Sequence, residues 1–167
     1  SFMETYAKNE IEKKYQRDIE YSLLNGLLTG DELSKAARML KLKDTAQYCV
    51  VSFHTISSNS EDYYTKEELE EIGVIEGEIQ RLLPDDHIYR NLNQLVCIHE
   101  IKPGETQAGF REEMEKLYQT VQKQIFHRNK TTDFQIGIGS IVNGYGDLKK
   151  SFKDSKKIID YMDMLRY

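Results

Sequence analysis

Only Asn91-Leu92-Asn93 separates two segments of extended-chain character, His87 to Arg90 and Gln94 to Ile101, and so short a gap leaves a β-hairpin as the one connection available. The hairpin constrains its surroundings. Ahead of it, Leu69, Ile72, Ile75, Ile79 and Leu82 keep helical spacing from a Thr65 N-cap to Pro84, weakened but not abolished by Gly73 and Gly77. Behind it, Pro103-Gly104 turns the chain into a helix from about Thr106 to His127, whose inner face is Phe110, Met114, Leu117, Val121 and Ile125. One strand lies outside each helix: QYCVVSFHTI from Gln47 to Ile56, and FQIGIGSI from Phe134 to Ile141. After Gly144 and Gly146 a last helix carries Leu148, Phe152, Ile158, Ile159 and Met162. The order β-α-β-β-α-β is the split βαβ arrangement of ferredoxin-like domains, an α/β (α+β) class with an antiparallel-containing sheet. Right-handed crossovers then place the Gln47 and Phe134 strands side by side at the sheet centre, with helices on one face.

Two helical segments come first. From about Glu4 to Leu28, Ile11, Tyr15, Ile19, Leu23 and Leu27 step down one face at four-residue intervals. Gly30 ends this helix, and Thr29 with Glu32 fits a capping box opening a short one with Leu33, Ala36, Ala37 and Leu40 inside. The chain thus divides into helices over residues 1–44 and a sheet domain over residues 45–167. The first helix has two roles open to it: pairing between chains as a signalling or dimer helix fed by an upstream sensor, or packing on its own domain. Ser1-Phe2-Met3 and the helical pattern running to Tyr167 suggest a piece of a longer protein.

A chain of 167 residues, 39% hydrophobic and 31% charged, buries a real core as one domain. Its formal net charge of -5 supplies no global positive field, which disfavours direct binding of nucleic acid or of an anionic membrane by this piece. No apolar run approaches the ~20 residues of a membrane span, and no basic-then-apolar leader opens the chain, so the expected location is cytoplasmic.

The chemistry-bearing residues are scattered. Cys49 and Cys97 lie in apolar runs and read as buried free thiols. His54, His87, His99 and His127 lack ligand spacing, so no metal site is expected. If Val51, Phe53, Val96 and Ile98 point inward, period-two alternation turns His54 and His99 the other way, toward solvent or a helix layer. GIGS, Gly137 to Ser140, lacks the lysine and helix start of a phosphate loop, and close packing of a neighbour explains its glycines. The acids of KEELEE, Lys66 to Glu71, read as a solvated face near a helix N-terminus. Tyrosines number 11, Tyr63-Tyr64 and Tyr145 among them, and define no ligand site.

FQIGIGSIVNGYGDLKKSFKDSKKIIDYM resembles the closing segment of the degenerate GGDEF-type domains of AraC-type, YesN-like transcription regulators: a glycine-containing strand, a loop, and a helix with a Ser-aromatic start. LLNGLLTGDELSKAARMLKL resembles the short helical hairpin that precedes the sheet in the same proteins, so the likeness covers nearly the whole chain. It implies a nucleotide-cyclase palm fold. Active members carry Gly-Gly-Asp/Glu-Glu-Phe on the hairpin for nucleotide and metal, and by order the matching positions here are Asn91, Leu92, Asn93, Gln94 and Leu95. Their second metal-binding aspartate sits on the first strand, where this chain has Ser52 or a neighbour. Hard cations need carboxylate oxygens to neutralise a nucleotide's phosphates, so the resemblance implies the fold without the reaction: no enzyme, no catalytic residue, no cofactor and no metal.

The same resemblance implies a regulatory domain of a bacterial AraC-family transcription regulator. It would couple an upstream two-component receiver (response-regulator) or membrane sensor to a downstream helix-turn-helix region. DNA would be bound only by that further region, and the whole protein could be anchored through its sensor. The expected self-partner is a homodimer, through the N-terminal helix or the sheet domain. The alternative is a small-molecule or nucleotide sensor that keeps the palm cleft without turnover, with Asn91, Asn93 and Gln94 hydrogen-bonding the ligand.

Overall fold

The computed structural model describes residues 1–57, 66–91, 94–128 and 132–166. In chain order the elements are α1 (Phe2–Leu24), α2 (Gly30–Met39), β1 (Gln47–Ser57), α3 (Lys66–Leu82), β2 (His87–Asn91), β3 (Gln94–Glu100), α4 (Gln107–Arg128), β4 (Thr132–Ile138), β5 (Val142–Asn143) and α5 (Leu148–Arg166). The strands form one antiparallel sheet in the order β2-β3-β1-β4, with the short β5 pairing the start of β1. This is the split βαβ order read from the hairpin, in an α+β domain consistent with a palm.

Two expectations about the sheet change. β1 and β4 are neighbours, but not at its centre: β3 occupies the other side of β1, which leaves β4 as an edge. Helices also cover both faces rather than one. The reason lies in β1 and β3, whose runs YCVVSF and LVCI are apolar at consecutive positions, as strands buried on both sides are. Cys49, Val51, Phe53, Leu95 and Cys97 pack with Ile75 and Ile79 of α3 and Phe110, Met114 and Leu117 of α4. Tyr48, Val50, Val96 and Ile98 pack with Leu24 of α1, Ala36 of α2 and Leu148 and Phe152 of α5. Each such burial contributes roughly 1.5–3 kcal/mol, which a single helical layer would forfeit on one side of the sheet.

The ends of the helices follow local chemistry. α1 opens with a capping box, Glu4 N–H donating to Ser1 Oγ at 3.3 Å while the Ser1 amine donates to Glu4 Oε2 at 3.2 Å. Thr29 is the N-cap of α2, but its extended backbone makes no side-chain bond, so the box expected with Glu32 does not form. Along α1 only the last part of the apolar stripe is used: Ile19 and Leu23 are buried, whereas Ile11 and Tyr15 are 68% and 57% exposed. The N-cap expected at Thr65 lies outside the described residues. In α3 the solvated reading of KEELEE fails at Glu68 and Glu71, which are buried because their spacing puts them on the face of Ile72 and Ile75. Both carboxylate oxygens of Glu71 lack a hydrogen-bond partner among the described residues.

Candidate functional site

The hairpin carries the residues singled out by sequence. Asn91 and Gln94 face each other as register partners at its end, both exposed. Leu92 and Asn93 lie outside the described residues. Leu95 is buried against Phe53 in the α3/α4 core, so that motif position serves packing. Gln94 also stands beside His54 of β1, whose other neighbour is Gln135 of β4. The C-terminal end of β1 is therefore where hairpin and last strand converge.

Ser52, on the strand where the second aspartate was sought, is committed elsewhere. Its hydroxyl lies 2.7 Å from Ser155 Oγ of α5, and Ser155 Oγ donates to the Phe152 carbonyl. One turn earlier, Val50 N–H donates to Ser151 Oγ at 2.7 Å, and Ser151 Oγ donates to the Ser140 carbonyl. The glycines of GIGS complete this seam: a Cβ on Gly137 would lie 2.2 Å from the Ser155 carbonyl oxygen, and one on Gly139 would lie 2.1 Å from that of Ser151. Close approach of a neighbouring backbone, that of α5, is indeed what those glycines permit.

Between this seam and the hairpin end lies a pocket of about 310 Å³, lined by Ser52, His54, Gln94, Val96 and Phe152 together with Lys153, Lys156, Lys157 and Asp160 of α5. Lysine spacing of three and four residues places those cations on one side of the helix, a signal present in KKSFKDSKK that the sequence reading did not use. Lys156 Nζ sits 4.2 Å above the Phe152 ring. Burial lowers the His54 pKa, against the opposing pull of Asp163 and Asp160, so its imidazole is neutral near pH 7. β1 contributes no carboxylate to this pocket, and Asp160 shares it with three lysines. Such a donor set fits an anion and does not fit a divalent ion holding a triphosphate.

A second cluster was missed by sequence. Val51 is opposite Cys97, not Val96, so His99 shares the α3/α4 face with Cys97 and Leu95, whereas His54 faces α5. His99 is 2% exposed. Its Nδ1–H donates to Asp86 at 2.9 Å, its Nε2–H donates to Glu105 at 3.0 Å, and its ring stacks on Phe110 with centroids 4.3 Å apart. Carboxylates only accept, so both ring nitrogens carry protons and no lone pair remains for a metal. Burial alone would depress the His99 pKa, but the hydrogen bonds and charges of Asp86 and Glu105 outweigh it and raise the value. Burial pushes the Asp86 carboxyl up, with His99 opposing. Glu105 also accepts from the Lys102 amide at 2.9 Å, so the cluster fastens two loops to β3. Nearby, burial pushes the Cys49 thiol up to about 12 and also raises the Cys97 thiol, leaving two free, unreactive thiols.

No helix of the described residues is long and apolar enough to cross a membrane. A family model described as a GGDEF-like domain matches residues 25–161, from the residue after α1 through most of α5. No curated protein matches the chain.

Proposed function

Because this chain belongs to the GGDEF-like domain family, we propose that it is a non-catalytic regulatory member of it, working inside a bacterial AraC-type, YesN-like transcription regulator. The observation that carries the first half is β1: active relatives need a metal-binding acid on this strand, and none of its residues is a carboxylate, Ser52 being engaged with Ser155 of α5. The hairpin agrees, since Asn91, Gln94 and Leu95 offer no carboxylate. Incubating the chain with guanosine triphosphate and magnesium or manganese tests this directly. Unchanged nucleotide is expected, and a cyclic dinucleotide product would overturn the reading.

As a regulator, the domain takes its input along α1 and hands it to a helix-turn-helix region that binds the DNA. The contacts of α1 support that route, because its buried end touches α2, β2 and α5 at once, and a displaced α1 must repack all three. The exposed Ile11 and Tyr15 are available to the same helix of a second chain. A gene sequence that encodes paired helix-turn-helix motifs after Tyr167 is the expected finding; another kind of domain there would remove the transcriptional half.

The lysine-lined pocket favours one second reading, a sensor of an anionic small molecule or nucleotide. Bound ligand raises the melting temperature by mass action. A shift with guanine nucleotides that disappears in Lys156→Ala and Lys157→Ala would establish the sensor, and no shift with any nucleotide, sugar phosphate or inorganic phosphate would remove it.

A further inference from the structure

Glu20, at the root of α1, is an acid only 2% exposed, and its carboxylate is half satisfied. Oε1 accepts from Gln16 Nε2 at 3.0 Å, whereas Oε2 has no hydrogen-bond partner among the described residues. Burial pushes the carboxyl up, opposed by the Gln16 bond and by the charges of His87 and Arg17. Neither of those two supplies the missing donor: His87 Nε2–H goes to the Leu40 carbonyl, and Arg17 makes no ion pair among the described residues. An oxygen that has lost its hydration without replacement leaves the fold one donor short.

Glu20 lines a groove of about 330 Å³ where α1 crosses β2, and the other charges there pair off. Lys13 lies 3.7 Å from Glu10, and Arg90 reaches Glu76 at 2.9 Å. What remains is one anion and one cation, Glu20 and Arg17, three residues apart on one side of the helix. We infer that the groove binds a free aliphatic α-amino acid, its ammonium donating to Glu20 Oε2, its carboxylate meeting Arg17 and its side chain resting on Ile88. The chemistry of the groove selects that class. Gln16 occupies Oε1, so a guanidinium fork, which needs both oxygens, fits worse than an ammonium, which needs one. The last torsion of a glutamate side chain is soft, so the carboxyl can turn Oε2 toward the groove that the residue lines. Side chains three apart on a helix are neighbours, close enough for the adjacent charges of a zwitterion to reach both. Ile88 is the apolar surface among the lining residues. This site is separate from the lysine-lined pocket on α5 and goes beyond the regulatory reading: a ligand bridging α1 to β2 fixes the root of the helix.

Titration of the full chain with L-leucine, read by calorimetry and by melting temperature, tests it. Saturable binding and a raised melting temperature are expected. Leucinamide lacks the carboxylate and 4-methylpentanoate lacks the ammonium, and each is expected to bind roughly tenfold more weakly, the worth of one charge-assisted hydrogen bond. Glu20→Gln keeps the shape and removes the charge; it should weaken leucine by roughly tenfold without lowering the melting temperature of the free chain, because an unpaired buried charge is lost. Arg17→Ala, at an exposed position, should weaken it to a similar degree with the free chain equally stable. No binding of leucine, isoleucine or valine at millimolar concentration overturns the inference. So does leucine binding that survives Glu20→Gln, or leucinamide that binds as tightly as leucine, which would assign the groove to amines such as a peptide N-terminus.

Discussion

Each edge of the sheet lies beside a groove between two helices, and the two grooves have opposite linings. At β2 the groove is about 330 Å³ and lined by Glu10, Lys13, Gln16, Arg17, Glu20, Glu76 and Arg90, with Ile88 alone apolar among its described residues. Arg90 reaches Glu76 at 2.9 Å and the Leu69 carbonyl at 3.3 Å, and His87 Nε2–H donates to the Leu40 carbonyl, so the strand is tethered on both sides. At β4 the groove is more than twice as large and mostly apolar. An edge backbone offers the same unpaired groups in either place, so side chains decide whether it repels or recruits another strand. One edge of this sheet lies beside charged side chains, the other beside mostly apolar ones.

The charged edge breaks most severely at its anchor, because Asp86 immediately precedes β2. Replacing His99 by Leu leaves two buried carboxylates without their cation and is expected to cost about 3–5 kcal/mol in chemical denaturation. A loss below about 1 kcal/mol would mean that the cluster does not hold the edge in place. On the apolar edge, Gly137→Ala forces a Cβ into the α5 backbone and should cost about 3 kcal/mol, disturbing the groove beside β4 before the β2 side. Amide exchange that loosens β2 first would contradict this division.

Acidity sharpens the comparison further. The raised His99 pKa means that the folded chain holds a proton the unfolded chain has released, so the cluster's contribution is complete below the ordinary imidazole range and drains away as pH rises through the folded value. The slope should not exceed about 1.4 kcal/mol per pH unit, and it should vanish in the His99→Leu variant. Asp86, also raised, adds a loss of the same sign in its own, more acidic window. The smallest effect belongs to Arg90→Ala: a half-exposed ion pair is worth about 0.5 kcal/mol, and equilibrium denaturation should find little more.

Much of this was legible in the residues. The short gap between His87 and Gln94 dictated the hairpin, and helical spacing located Ile72, Ile75, Ile79, Met114 and Leu117 in the core. The second helical layer was also written there, in the unbroken apolar runs of β1 and β3, but reading those strands by alternation alone hid it. Register was not legible. That Val51 shares its face with Cys97 and not with Val96 is a tertiary fact, and it sets His99 in the α3/α4 core between Asp86 and Glu105. The α5 lysines were visible as a pattern, yet only the folded chain brings them to His54 and Gln94. For Leu92 and Asn93, outside the described residues, the sequence remains the whole of the argument.

The way α1 is held has a mechanical corollary. Its root, from Ile19 to Leu24, is clasped by the domain, while roughly 25 Å of rod projects from Ile19 to Phe2. A tilt of ~10° at that root swings the far tip by about 4 Å, given a rise of about 1.5 Å per residue. Read in reverse, a several-ångström push at the tip reaches the clasp as a slight rotation, which Leu23 and Leu24, wedged among α2, α5 and the sheet, would feel before any other residue.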